Sequence, residues 1–135
     1  MTTPALPSDQ IEPLLKALSQ WHYCTVIVIH GGCVFEFKGS FPAGSFSHGY
    51  YNLNSHGKGF EGHLNLAAIK QVSFQDKPHR GKESYAFVFE DEQGAAIFKV
   101  FVGRDTNGKL LDNQVEQFKA IQQHLRVNNS DGTES

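Results

Sequence analysis

Long apolar runs are missing from this chain. Runs such as Val26 to Ile29 are far shorter than the roughly 20 residues a membrane-crossing helix needs, so no membrane insertion is expected. A dominant charge is missing too: 12 basic residues stand against 14 acidic ones, for a net charge of −2. Nucleic-acid binders carry a basic patch or stripe, and here the tightest basic cluster (Lys77, Arg80, Lys82) is bracketed by the acids Asp76 and Glu83. This argues against a nucleic-acid partner and leaves room for one local pocket that takes a small anion. Cysteine is scarce, with only Cys24 and Cys33 and no C-x-x-C. That pattern suggests neither a zinc ribbon nor a redox pair. The first ten residues lack a charged stretch followed by an apolar one. Together with two unpaired thiols, this predicts a reducing, cytoplasmic location.

Catalytic signatures are also lacking. The chain holds no G-x-S-x-G, no phosphate-binding P-loop, no dinucleotide glycine fingerprint and no H-E-x-x-H. Cys24 lies near His22 and His30 in sequence, but it opens an apolar strand. A buried core thiol is the expectation there, rather than a nucleophile.

What is abundant is phenylalanine, at 11, and histidine, at 7. The combination fits an apolar pocket with a few polar tips. It fits equally a β-core with surface histidines. The chain has 135 residues, 39% hydrophobic and 19% charged, as an ordinary globular domain has. Folding at this length buries roughly two-thirds of the unfolded surface, enough for a core without disulfide or metal.

Residues 1–7 read as a frayed arm. Ile11, Leu14, Leu15 and Leu18 fall on one helical face, with Ser8 or Asp9 as the expected cap. The β-branched run Thr25 to Ile29 predicts a strand, Gly31-Gly32 a tight turn, and Cys33 to Lys38 the returning strand. Residues 39–49 read as a loop. Short strands follow at 50–53, 60–66, 69–74, 85–89 and 96–102, with a basic loop over 76–82. Leu111, Val115, Phe118, Ile121 and Leu125 predict a closing helix capped by Asp112. Strands do not alternate with helices, so the fold class is α+β: a large antiparallel β-sheet with helices packed at the N- and C-terminal ends. Residues 1–127 form one domain, and 128–135 a flexible tail.

Two histidines stand out. His30 ends the first strand beside the glycine turn, where a side chain can reach a ligand. His63 sits in Gly62-His63-Leu64, where the glycine removes bulk and lets a flat ligand approach. For either one, a surface or hydrogen-bonded histidine is the alternative. His48, His56 and His63 show no local zinc spacing, and would form a zinc site only by converging in three dimensions.

Several stretches in register carry a resemblance. They are Phe35-Glu36-Phe37-Lys38-Gly39-x-x-Pro42-x-Gly44, His48-Gly49-Tyr50-Tyr51-Asn52-Leu53, Gly62-His63-Leu64, Gly81-x-Glu83-Ser84, Phe98 to Asp105, and Leu111-x-x-Gln114-x-x-x-Phe118. From about Val28 to Phe118 the chain resembles the bacterial HutX/ChuX haem-carrier family. The resemblance implies a cytoplasmic protein that binds haem and passes it to a degrading acceptor protein. It implies a homodimer, because the chain matches one half of the tandem-repeat haem-trafficking proteins. It places the haem-iron ligands on His30 and His63. Arg80 either contacts a propionate, as Arg can do bidentately, or is solvated.

Phe35, Phe37, Phe60, Phe98 or Phe101 would then line the slot for the ring. Imidazole ligates iron only when neutral, so binding should weaken below about pH 6.5. The alternatives are a haem-degrading, monooxygenase-like enzyme, and a fold relative that binds another small ligand.

Overall fold

The computed structural model describes residues 4–78 and 80–127. The expected flexible tail and His79 lie outside the described residues. The chain runs β1 (Leu6–Pro7), a 3-10 turn (Ser8–Gln10), α1 (Ile11–Leu18), β2 (Cys24–His30), β3 (Cys33–Gly39), β4 (Ala43–Ser47), β5 (Tyr50–Asn54) and β6 (Gly62–Leu64). A second 3-10 turn (Leu66–Ala68) leads into β7 (Gln71–Asp76), β8 (Tyr85–Glu90), β9 (Ala96–Val102) and α2 (Asp112–His124). Six strands form one antiparallel sheet in the order β1-β7-β8-β9-β2-β3, and β4-β5-β6 form a second. The α+β expectation is met.

Alternation along the strands splits the large sheet into two faces. Cys24 and Val26 of β2, Tyr85, Phe87 and Phe89 of β8, and Phe98, Val100 and Val102 of β9 are buried on one of them. α1 buries Ile11, Leu14, Leu15 and Leu18 into the same core, and α2 buries Phe118 and Ile121. The Phe118 ring sits 4.9–5.6 Å from the rings of Phe87, Tyr85 and Phe74. Trp21 packs on Phe87 at 5.9 Å and donates its indole N–H to Gln117 Oε1 at 2.7 Å, which ties α2 to the segment after α1. Tyr51 and Leu53 carry the core into the small sheet.

Several expectations need correction. The N-terminal arm is not frayed at Leu6: that residue is wholly buried and pairs with Val72, because an apolar side chain there closes the sheet beside β7. Neither Ser8, Asp9 nor Asp112 caps a helix. Ser8 and Asp9 lie inside a 3-10 turn, and Asp112 is already within α2, whose cap position is Leu111. Residues 43–47, expected as loop, form β4. The strand expected over 60–66 narrows to Gly62–Leu64, and the next shifts to Gln71–Asp76. Phe98 lines no slot; it stacks on Phe89 at 4.2 Å within the core.

One buried polar group holds three elements together. Gln114 of α2 accepts from the Gly103 N–H at 2.8 Å and donates to the Tyr23 carbonyl at 2.9 Å. A Cβ at Gly103 would collide with that same carbonyl, so only glycine fits where the chain leaves β9 against the entry to β2. Replacing Gln114 by Leu strands two backbone groups with no partner. We expect a loss of about 2 kcal/mol, read as a lower urea midpoint at unchanged slope. The cysteines should differ sharply. Burial pushes the Cys24 thiol up to about 12, whereas Cys33 is exposed. A thiol reagent at neutral pH should therefore modify one cysteine in the native protein and two after unfolding.

Candidate functional site

His63 is held by its neighbour across the ladder. Asn52 of β5 pairs in register with His63 of β6, so both side chains stand on the outer face of the small sheet, opposite Tyr51 and Leu53. The His63 Nδ1 lies 2.7 Å from Asn52 Oδ1. The Asn52 amide nitrogen donates to the carbonyls of Ser47 and Tyr50, each at 3.1 Å, and of Ser45 at 3.4 Å. An amide nitrogen only donates, so these carbonyls fix which end of the amide faces His63. Oδ1 therefore accepts and Nδ1 carries a proton, so in the neutral ring Nε2 is the nitrogen that holds the lone pair. The Tyr50 ring meets the imidazole edge-on at 6.2 Å between centroids. A Cβ built on Gly62, which pairs with Leu53 and so points to the opposite face of the small sheet from His63, would meet no atom within 4 Å.

The turn before β6 is organised by Glu61. Its Oε2 accepts from the Gly57 N–H at 2.9 Å and from the Ser55 N–H and hydroxyl, both at 3.0 Å. The Gly57 N–H, then the Ser55 hydroxyl and N–H, hold this carboxyl below its usual range. The folded pKa is depressed, so the contribution to turn stability is present above the ordinary carboxylate pKa and is lost as pH falls through the lowered one.

His30 belongs to the other sheet. It faces Cys33 across the Gly31-Gly32 turn, where both glycines have positive φ (58° and 82°), as a two-residue hairpin turn requires. His30 is exposed. On the same face of the hairpin, Phe35 pairs with Val28 and is 62% exposed. Phe37 stacks on Phe60 at 5.4 Å, joining the hairpin to the approach of β6. Of the aromatic residues expected around a ligand, Phe35 offers free surface on this side, while Phe37 and Phe60 are paired with each other.

Arg80 is elsewhere. It lines a groove of about 880 Å³ on the uncovered face of the six-stranded sheet, and neither His30 nor His63 lines that groove. Phe101 also lies there. His48 and His56 occupy turns, each with φ of 57°, and His48 Nδ1 is 2.7 Å from Ser47 Oγ. Among the described residues, no three His, Cys, Asp or Glu side chains converge as a metal site would require. Sequence reasoning missed Asn52 and Tyr50. Both sat in the quoted His48–Leu53 stretch, but their link to His63 requires the β5–β6 register.

The family model "Haem utilisation ChuX/HutX" matches residues 5–121. The intracellular heme transport protein HutX of Vibrio cholerae is 38% identical over 127 residues, which is 88% of this chain and 66% of that protein. The chain thus spans slightly less than two thirds of that relative's length. The crystal structure of ChuX superimposes with a TM-score of 0.84 at 27% identity, covering 92% of this chain and 77% of that one. PhuS of Pseudomonas aeruginosa shares the fold, with a TM-score of 0.72 at 16% identity, over 91% of this chain and 34% of that one. The chain belongs to the ChuX/HutX haem-utilisation family.

Proposed function

We propose that this chain binds haem inside the cell and carries it to a degrading partner, with His63 Nε2 as the principal iron ligand. The observation that carries this reading is the fixed imidazole. A metal-ligating histidine commonly gives its second ring N–H to an oxygen that sets tautomer and orientation, and Asn52 does this for His63. Iron is commonly held by histidine in haem proteins. The residues fit the group. His63 is exposed, the Tyr50 edge borders the imidazole, and Phe35 exposes an aromatic face on the neighbouring hairpin.

His30, exposed at the hairpin tip, serves as the second ligand, either to the same haem or during loading and release. Arg80 is exposed and lines the groove on the other face of the six-stranded sheet, away from both histidines, so it does not contact a haem held by His63. A carrier must release its cargo, and ligands on an exposed sheet face suit that better than a closed cage. The HutX relative is described as intracellular, and a ChuX structure at TM-score 0.81 as a haem-binding protein. No helix among the described residues is long and apolar enough to cross a membrane. We read the carrier as a homodimer, as the resemblance to one half of the tandem-repeat haem-trafficking proteins implies.

Haemin titrated at the Soret band should give a saturable shift with wild type and lose or move it with His63→Ala. Asn52→Leu should weaken binding about 10- to 100-fold, as loss of an orienting partner does. An identical titration in His63→Ala would remove His63 from the reading. Under oxygen and a reductant, the haem complex should yield only slow degradation that catalase suppresses. Catalytic, catalase-resistant release of a biliverdin-type product would instead make the chain a degrading enzyme.

A further inference from the structure

Only one asparagine in the chain precedes a glycine, and it sits at the tip of an exposed turn. Asn107-Gly108 lies between β9 and α2, where Arg104 and Leu110 form an antiparallel bridge. Asn107 is exposed, and Gly108 has φ of 80°. The other asparagines of the strands and turns use their side chains. Asn52 contacts His63, while Asn54 and Asn65 accept from the N–H groups of His56 and Ala67.

An asparagine before glycine can react with its own backbone. The nitrogen of the next residue attacks the side-chain Cγ. A new N–Cγ bond forms, the bond from Cγ to the amide nitrogen breaks, and ammonia leaves with the proton from the attacking nitrogen. Water then opens the five-membered imide at either carbonyl, giving aspartate or isoaspartate. No oxidant or enzyme is needed. Glycine speeds the attack because it carries no Cβ to crowd the nitrogen.

In the closed turn that nitrogen is held. The Gly108 N–H donates to the Asp105 carbonyl at 3.0 Å, and the Asp105 N–H donates to the Lys109 carbonyl at 2.8 Å. The Asp105 carboxylate accepts from the N–H groups of Asn107 and Lys109 at 2.8 and 2.9 Å. The Lys109 N–H and then the Asn107 N–H hold this carboxyl below its usual range, so it stays ionised at the alkaline pH that favours the attack. Arg104 Nη1 donates to the Gly108 carbonyl at 2.9 Å, and Nη2 donates to the Glu83 carbonyl. One guanidinium thus ties this turn to the segment before β8.

We infer that Asn107 is a site of spontaneous deamidation, paced by opening of the turn that Asp105 closes, and that its conversion loosens the Arg104 tie to Glu83. An exposed turn held by a few backbone bonds opens locally at little cost. Isoaspartate routes the main chain through Cβ and so adds one atom between positions 107 and 108. The bonds from Asp105 to Lys109 and from Arg104 to Gly108 then lose their register. Either product also sets a second carboxylate beside Asp105, and like charges repel. None of these bonds depends on what the protein carries.

The test incubates full-length wild type, Asp105→Ala and Asp105→Asn in mildly alkaline buffer, with wild type in urea as the open-turn reference. Peptide mass mapping locates the exchange of NH2 for OH. Methyl transfer from S-adenosylmethionine by an isoaspartyl methyltransferase counts isoaspartate. Position 107 should convert ahead of Asn54, Asn65 and Asn113, and faster in urea than in the native protein. Asp105→Ala should convert about tenfold faster than wild type, as loss of bonds to a charged acceptor predicts, with unchanged far-ultraviolet dichroism. Asp105→Asn, whose side-chain oxygen still accepts, should fall between the two. Converted protein, separated by its added negative charge, should exchange amide hydrogens faster at residues 82–84 and 104–110 but not in β2.

Three results overturn the inference. The first is a native protein unconverted at position 107 while the urea sample converts. The second is an Asp105→Ala rate equal to that of wild type. The third is converted protein whose hydrogen exchange is unchanged at residues 82–84.

Discussion

Two short helices and a three-stranded sheet can cover only one face of a six-stranded sheet, and the rest of this structure follows from that limit. The covered face takes the large aromatic and aliphatic side chains of β2, β8 and β9, with Phe118 and the apolar stripe of α1 above them. Burying one such side chain is worth about 1.5–3 kcal/mol relative to leaving it in water. The covered face is therefore where stability resides. The other face buries Ala86 and Val88 but is otherwise less tightly packed, and it carries charge at Lys38 and Lys99 beside Ile27 and Phe101.

The same limit separates the two chemistries of the molecule. Histidine and asparagine meet on the outer face of the small sheet, where β5 and β6 bring their side chains into register. Arginine and lysine collect on the bare face of the large sheet. Phe37 stacked on Phe60 links the histidine-bearing hairpin to the small sheet. The Gln114 bonds to Gly103 and Tyr23 fix α2 at the opposite end of β2.

Much of this fold was legible in the sequence. β2, β8 and β9 are dense in β-branched and aromatic residues, and α1 and α2 repeat their apolar residues at helical spacing; all five appear where expected. β4 was not legible, because Pro42, Gly44 and three serines read as loop. It forms because Tyr51 and Leu53 of β5 offer it a partner strand. β1 is two residues long, too short for any periodicity, and exists because Leu6 fills a gap beside Val72. The site was legible only by its histidines. That Asn52 orients His63 depends on a strand register that no local pattern encodes. That Arg80 lies away from both histidines depends on which face of the sheet the helices cover.

The central claim is that His63, oriented by Asn52, ligates iron through Nε2. The most direct measurement is resonance Raman spectroscopy of the ferrous haem complex, prepared with natural and with nitrogen-15-labelled histidine. The account predicts an iron–nitrogen stretch that shifts with the label in wild type and is lost in His63→Ala. A spectrum insensitive to the label, or an isotope-sensitive band that persists unchanged in His63→Ala, would contradict it.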